Sequence, residues 1–349
     1  MTEQPDAGGL AVDFCFLPTG PVSEVAALAA LGEQLGFRCM WIPDQGFYRD
    51  PFLLAGAAAA ATTSIEVGIG ITMPLTRHPV QIARAAATLD EMSGGRLRLG
   101  LGSGNIEHVV RPMGLPTRDT VRRVREGLDD VTALLRGEAI SYTDETPRRV
   151  ALDFTASRVM PIYVGARGPK MLRMAGSRAD GVLVESLFNG GGPEHALEQI
   201  MGGRAEAEAT LAAPDVVAWQ VVVATDDPQQ EIDAYRPWIA HILQGGPVDA
   251  LTRVGVPEDT VLAVRAAGSD GRTDDAVAAV TDDAVRALVM IGTSDEIVER
   301  FRDLRRRGCT SVSVLNTKGV AETAANLTRI GTTVLPALAA TRPTTPVGG

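Results

Sequence analysis

The chain is almost without lysine. Lys170 and Lys318 are the only two, the remaining positive charge is arginine, and the formal net charge is −10. Nucleic-acid binding needs a basic surface that can release counterions, so this balance argues against DNA or RNA as a partner. Aromatic residues make up only 4%, too few for a base-stacking platform. No apolar run reaches the roughly 18 residues of a membrane-spanning helix. The start, "MTEQPDAGG", is polar and acidic, unlike a signal peptide or an anchor, so a cytoplasmic protein is expected. Cys15, Cys39 and Cys309 lie far apart with no CxxC pair; neither a disulfide framework nor a metal site is expected.

What the chain does contain is a regular alternation. Apolar runs bounded by turns occur at "LAVDFCFL", "FRCMWI", "IEVGIGI", "RLRLGLG", "PIYVGA", "DGVLVES", "VVAWQVVVAT" and "TSVSVLN". Between most of them lie stretches with helical spacing, such as "DTVRRVREGLDDVTALLRG". Short strands that are apolar on both faces are those of a buried parallel sheet. Eight of them, alternating with helices, predict an α/β fold, a (β/α)8 TIM barrel; a doubly wound open sheet is the alternative. Such a barrel needs about 250 residues, and the chain has 349. The excess reads as two insertions in a single domain spanning 1–349: a hairpin near 137–158 and a helical segment near 241–283.

Glycines gather at three strand ends, in "GIGIT", "GLGSGN" and "VGARGPK". Barrel chemistry sits at the C-terminal ends of strands, and glycine there lets a ligand approach the backbone. Tight strand-to-helix turns without a ligand are the plain alternative. In "VGARGPKMLRMAG" the loop enters a helix near Pro169, which suits a first helical turn. The free backbone N–H groups at that point favour an anion such as phosphate.

The segments "TRHP", "ATLDEMSGGRLRLGLGSGN", "PIYVGARGPKMLRMAGSRADGVLV", "GVPEDT" and "IGTSDEIVERFRDLRRRGCTSVSV" together resemble the luciferase-like flavin and deazaflavin superfamily. Within it, the chain most resembles the methylene-tetrahydromethanopterin reductases that use coenzyme F420. The resemblance implies a barrel with a cofactor lying across the strand ends and a non-prolyl cis peptide at Gly70–Ile71. It assigns cofactor contacts to Asp44, to Gly70, Ile71, Thr72 and Met73, and to Gly102, Ser103, Gly104, Asn105 and His108. The fifth strand end adds Gly165, Ala166, Arg167 and Gly168. It also implies a homodimer built on the second and third helices, whose alanine runs "AGAAAAATT" and "ARAAAT" permit close approach.

Departures from the family pattern bear on the chemistry. Cys15 stands where the reductases carry a glutamate, and a thiol is a poor acid at neutral pH unless its pKa is shifted. Glu185, at the end of the sixth strand, is the candidate replacement as proton donor if an apolar pocket raises its pKa; a solvated loop glutamate is the alternative. Asp44 is the third candidate catalytic residue, or a cap on the following turn, and Gln45 follows it where relatives often have histidine. Asn105 occupies the place of an acidic donor in a sugar-phosphate-oxidising branch, a role an amide cannot fill. His78 is read as a structural turn residue and Arg77 as a buried partner of Asp90 or Glu91. The function expected is hydride transfer between reduced F420 and a small organic acceptor, an imine, iminium or activated alkene. An FMN-dependent monooxygenase and a non-catalytic flavin-binding protein are the alternatives.

Overall fold

A computed structural model describes residues 9–141, 149–154, 156–185, 189–207, 211–269 and 271–340. Eight parallel strands form its centre: β1 (Ala11–Phe16), β2 (Cys39–Ile42), β3 (Glu66–Thr72), β4 (Leu97–Gly102), β5 (Ile162–Ala166), β6 (Gly181–Glu185), β7 (Asp215–Ala224) and β8 (Ser311–Asn316). Each strand pairs with the next, and β8 pairs back onto β1, closing the (β/α)8 barrel. The helices that surround it begin with α1 (Val22–Leu35), α2 (Pro51–Ala60), α3 (Pro79–Met92), α4 (Thr120–Leu135), α5 (Pro169–Arg178), α6 (Gly192–Glu206) and α7 (Pro228–Gly245). No described helix is long and apolar enough to cross a membrane.

The eight apolar runs of the sequence are these eight strands. A ninth strand, Val289–Gly292, was not expected. It pairs with the last four residues of β7, beyond the point where β6 ends. Its four residues follow directly on the helix Asp282–Leu288 with no turn residue between. Pattern reading therefore merges it with the helix. Short helices Val248–Arg253, Glu258–Ser269 and Thr273–Ala278 occupy the preceding segment. The hairpin region shows Ile140–Ser141 antiparallel to Arg149–Val150; its turn, 142–148, lies outside the described residues.

Polar groups close the N-terminal end of the barrel. Asp13, fully buried on β1, accepts hydrogen bonds from Arg38 Nε (2.7 Å) and Nη2 (2.6 Å) and from Trp41 Nε1 (2.9 Å). Asp215 accepts from Arg38 Nη1 (3.1 Å), the Tyr163 hydroxyl (3.0 Å), Ser311 Oγ (2.6 Å) and Thr310 Oγ1. Arg98 joins the set through Glu66. Above this layer the few aromatics concentrate: Trp41 lies 5.1 Å from Tyr163 and 6.0 Å from Trp219, centroid to centroid. Strand glycines make room for them. A Cβ at Gly68 would come within 2.2 Å of the Trp41 ring, and one at Gly181 within 2.1 Å of Tyr163.

Burial pushes the Asp215 carboxyl up, but Arg38, Ser311 and Thr310 outweigh burial and hold it below its ordinary range. A depressed carboxylate pKa contributes stability above its unfolded value, roughly pH 4, and loses it as pH falls through the folded value. Asp215→Ala removes one partner each from the half-buried Arg38 and Arg98, which keep Asp13 and Glu66, and should cost roughly 1–3 kcal/mol at neutral pH. It should also flatten the acid limb of stability below about pH 4. Urea unfolding measured across pH 2–7 checks both; an unaltered acid limb would show that Asp215 is not the titrating anchor.

Candidate active site

The C-terminal mouth of the barrel takes its shape from the end of β3. The Gly70–Ile71 peptide is cis, and the β3–β4 register shifts between Ile69 and Thr72. The shift brings the half-buried Ile71 side chain over the inward faces of β4 and β5. A Cβ at Gly165 would lie 2.9 Å from Ile71 Cγ2, one at Gly102 3.1 Å from Cγ1, and one at Gly100 3.1 Å from Cγ2. Gly102 and Gly165 therefore make room first for a neighbouring side chain, and Gly100 for the Ile69 carbonyl at 2.5 Å as well; ligand approach and tight turns were the two expectations for these glycines. The result is an apolar shelf at the mouth, resting on the Trp41–Trp219 layer, since a Cβ at Gly70 would meet Trp219 at 2.6 Å.

Behind the shelf the β2 loop is locked in place. Asp44 N donates to Ile71 O (3.2 Å), and Asp44 Oδ2 accepts from Thr72 Oγ1 (2.8 Å) and Arg77 Nε (3.2 Å). Asp44 Oδ1 accepts from Gly46 N (3.2 Å), the turn-capping role that was the alternative for this residue. Arg77 reaches on to Asp50 Oδ2 (2.5 Å), while Asp50 Oδ1 caps α2. Arg77 thus pairs with Asp44 and Asp50, not with Asp90 or Glu91. It precedes α3, and Asp90 lies near the far end of that helix, about three turns away at 5.4 Å per turn. Asp90 instead accepts from Leu97 N, Ser157 and Arg158. His78 caps α3, its Nδ1 accepting from Val80 N (3.3 Å).

Several residues assigned to cofactor contact are enclosed. Thr72 and Met73 are both fully buried. Met73 packs with Leu75, Val109 and Val110 beneath the β4 loop, where a Cβ at Gly104 (φ +60°) would meet its sulfur. Gly70, Gly102 and Ala166 are also buried. They support the mouth from below. Ser103 is half-buried, and Gly104, Asn105 and His108 are exposed. Asn105 Oδ1 accepts from His108 N (3.1 Å), capping the turn Ile106–Val110. The His108 ring lies 5.3 Å from that of His241 on α7, so the β4 loop meets α7 there.

The candidate proton donors separate clearly. Cys15 is fully buried; burial, and next the nearby Glu185 charge, push its thiol well up. That makes it a weaker acid than an ordinary thiol. Glu185 is not in an apolar pocket: its side chain is half exposed and accepts from Arg167 Nη2 at 2.5 Å. It nonetheless faces the mouth. Leu183 Cδ1 lies 3.4 Å from a Cβ built on Gly100, inside the barrel, and Glu185, two residues on, shares that face. Arg167 and Gly168 are exposed at the start of α5, whose first turn has no side-chain cap.

The shelf contact can be measured. Gly165→Ala should destabilise by about 1–3 kcal/mol through overpacking against Ile71. Ile71→Ala in the same chain should recover part of that, a coupling of roughly 0.5–3 kcal/mol. A double-mutant cycle by urea unfolding that shows simple additivity would mean the two residues do not press on one another.

A family model described as "Luciferase-like monooxygenase" matches residues 4–311. The chain is 33% identical to a 5,10-methylenetetrahydromethanopterin reductase of Archaeoglobus fulgidus, over 85% of this chain and 90% of that one. It is 30% identical to an F420-dependent glucose-6-phosphate dehydrogenase of Beutenbergia cavernae, over 91% and 94%. The solved coenzyme F420 dependent tetrahydromethanopterin reductase of Methanopyrus kandleri superposes with a TM-score of 0.83 at 29% identity, over 95% of this chain and all of that one. With the bulged β3 end and the glycine-lined mouth in place, the match across most of the chain settles its membership: it belongs to the luciferase-like family.

Proposed function

We propose that this chain is a coenzyme F420-dependent oxidoreductase that moves a hydride between the deazaflavin and a small organic acceptor. The observation that carries the reading is the pairing of an apolar shelf at the end of β3 with an exposed helix start at the end of β5, two strands along. Ile71 presents a half-exposed hydrocarbon surface of the kind on which a flat ring can rest. The β5 loop enters α5 at Pro169, which has no N–H, and Met171 N and Leu172 N already donate to Gly168 O; the N–H groups of Gly168 and Lys170 remain at that start, where a Cβ at Gly168 would meet nothing within 4 Å. A phosphate suits those N–H groups and Arg167. The residues present fit the cofactor, and the relatives named as F420-dependent support it over FMN.

When bound, F420 supplies hydride-transfer chemistry, since carbon replaces the flavin N5. The protein's own part is orientation and proton supply. Ile71 would hold one ring face, leaving the other open to the acceptor. Gly165, Arg167 and Gly168 would hold the phosphate end, with the buried Ala166 supporting them from below. Asp44 has its carboxylate engaged with Thr72, Arg77 and Gly46, so its role is to hold the β2 loop against the shelf. Reduction of an imine, iminium or alkene can leave a basic centre that takes up a proton. Glu185 faces the mouth and is the candidate donor, with Cys15 set aside as a buried, weak acid. We further read the assembly as a homodimer through α2 and α3. Leu53 on α2 and Met92 on α3 are 76% and 60% exposed amid alanine-rich faces. A monomeric mass by light scattering would remove that reading.

Gly168→Val should weaken F420 binding more than tenfold while unfolding stays cooperative, because the added side chain has free space in the protein and fills the anion site. Fluorescence titration with F420 and with FMN measures this, and stronger binding of FMN by the parent protein would favour a monooxygenase. Glu185→Gln keeps the shape and removes the proton. Turnover with an accepted substrate should fall by a factor of about 10² or more, with F420 binding not weakened; full turnover would assign the proton to solvent or substrate.

A further inference from the structure

We propose that the Arg167–Glu185 ion pair is a latch that the cofactor's phosphate opens: the phosphate takes Arg167, and the released Glu185 carboxylate is left facing the barrel mouth. The inference rests on the reading of the β5 loop as the phosphate site.

The two residues sit on neighbouring strand ends. Arg167 follows Ala166, the last residue of β5, and Glu185 follows Val184, the β6 residue that pairs with Ala166. Their contact is 2.5 Å, and the side chains are 56% and 50% exposed. Arg167 makes no other ion pair among the described residues. An exposed pair of this kind shifts an equilibrium by no more than about fivefold. The cofactor's phosphate offers more: an anionic diester whose two free oxygens can take the guanidinium and the N–H groups of Gly168 and Lys170 at the start of α5 at the same time. The exchange of partners therefore runs toward the phosphate. No bond forms or breaks in it; one ion pair replaces another.

The consequence is an order of events. Before the cofactor binds, Glu185 is engaged at the rim and the mouth presents a neutral pair. Afterwards the carboxyl group has lost its counter-ion on the inward-facing side of β6, next to the place where the acceptor must lie. Sequence reading placed both residues in the site but gave them independent roles; the contact makes each depend on the other.

The test is equilibrium titration, by fluorescence at fixed low ionic strength, of the parent protein, Glu185→Gln, Arg167→Gln and the double variant. Each is titrated with F420 and with the same deazaflavin chromophore lacking the phosphate. The latch requires Glu185→Gln to bind F420 about two- to fivefold more tightly and to leave the phosphate-free ligand unchanged. It also requires that gain to vanish in the Arg167→Gln background. An unchanged F420 affinity in Glu185→Gln, an equal gain for both ligands, or a gain that persists without Arg167 would each overturn it. The underlying phosphate site is judged separately: an Arg167→Gln variant with parent-like F420 affinity, alongside a Gly168→Val variant equally unaffected, would strike the site itself.

Discussion

Ile71 stands over the barrel because Gly100, Gly102 and Gly165 have no side chains to push it away. A single methyl group at any of them would come to within about 3 Å of it or closer, less than ordinary carbon contact allows. Much of the mouth follows from this. The β3 end can bulge inward only because β4 and β5 yield space, and Asp44 can bond to Ile71 O only because the bulge places it there. Arg77 then ties Asp44 to Asp50 and so fixes the start of α2. The shelf is the meeting point of four strand ends, which is why its residues are scattered from 44 to 165 in sequence.

The barrel interior is graded along its axis. Charged and hydroxyl groups fill the N-terminal end, aromatic rings the middle, and aliphatic carbon and glycine the mouth. Burying carboxylates beside guanidinium groups is costly unless every lone pair is met, and here Asp13 and Asp215 each accept at least three hydrogen bonds. A satisfied polar plug keeps water out of one end. The other end can then be apolar and open without the barrel becoming a channel. The ninth strand extends the β7 side of that open end, and the His108–His241 contact joins α7 to the β4 loop.

The fold was legible in the sequence because it rests on local signals. Period-two and apolar runs mark strands, and glycine, proline and capping residues mark their ends. The strand Val289–Gly292 escaped because nothing local separates it from the helix before it. The partner of Arg77 escaped because it depends on which loop lies beside the "TRHP" turn. The environment of Glu185 escaped for the same reason. Whether a strand-end glutamate meets hydrocarbon or an arginine is decided by the neighbouring strand.

By itself the sequence determined an acidic α/β chain, eight buried parallel strands, glycine-rich strand ends and a helix that begins at Pro169. Those are consequences of residue type and spacing along one chain. Only the tertiary structure decided which glycine makes room for what: Gly68 and Gly181 for indole and phenol rings, Gly102 and Gly165 for Ile71, Gly168 for open space. It also decided that Met73 and Cys15 lie beneath the site, and that Arg167 and Glu185 face each other. The physical reason is common to all of these. A closed barrel brings together residues whose sequence separation carries no information about distance, and side-chain contacts across strands depend on register and facing, which exist only once the sheet has closed.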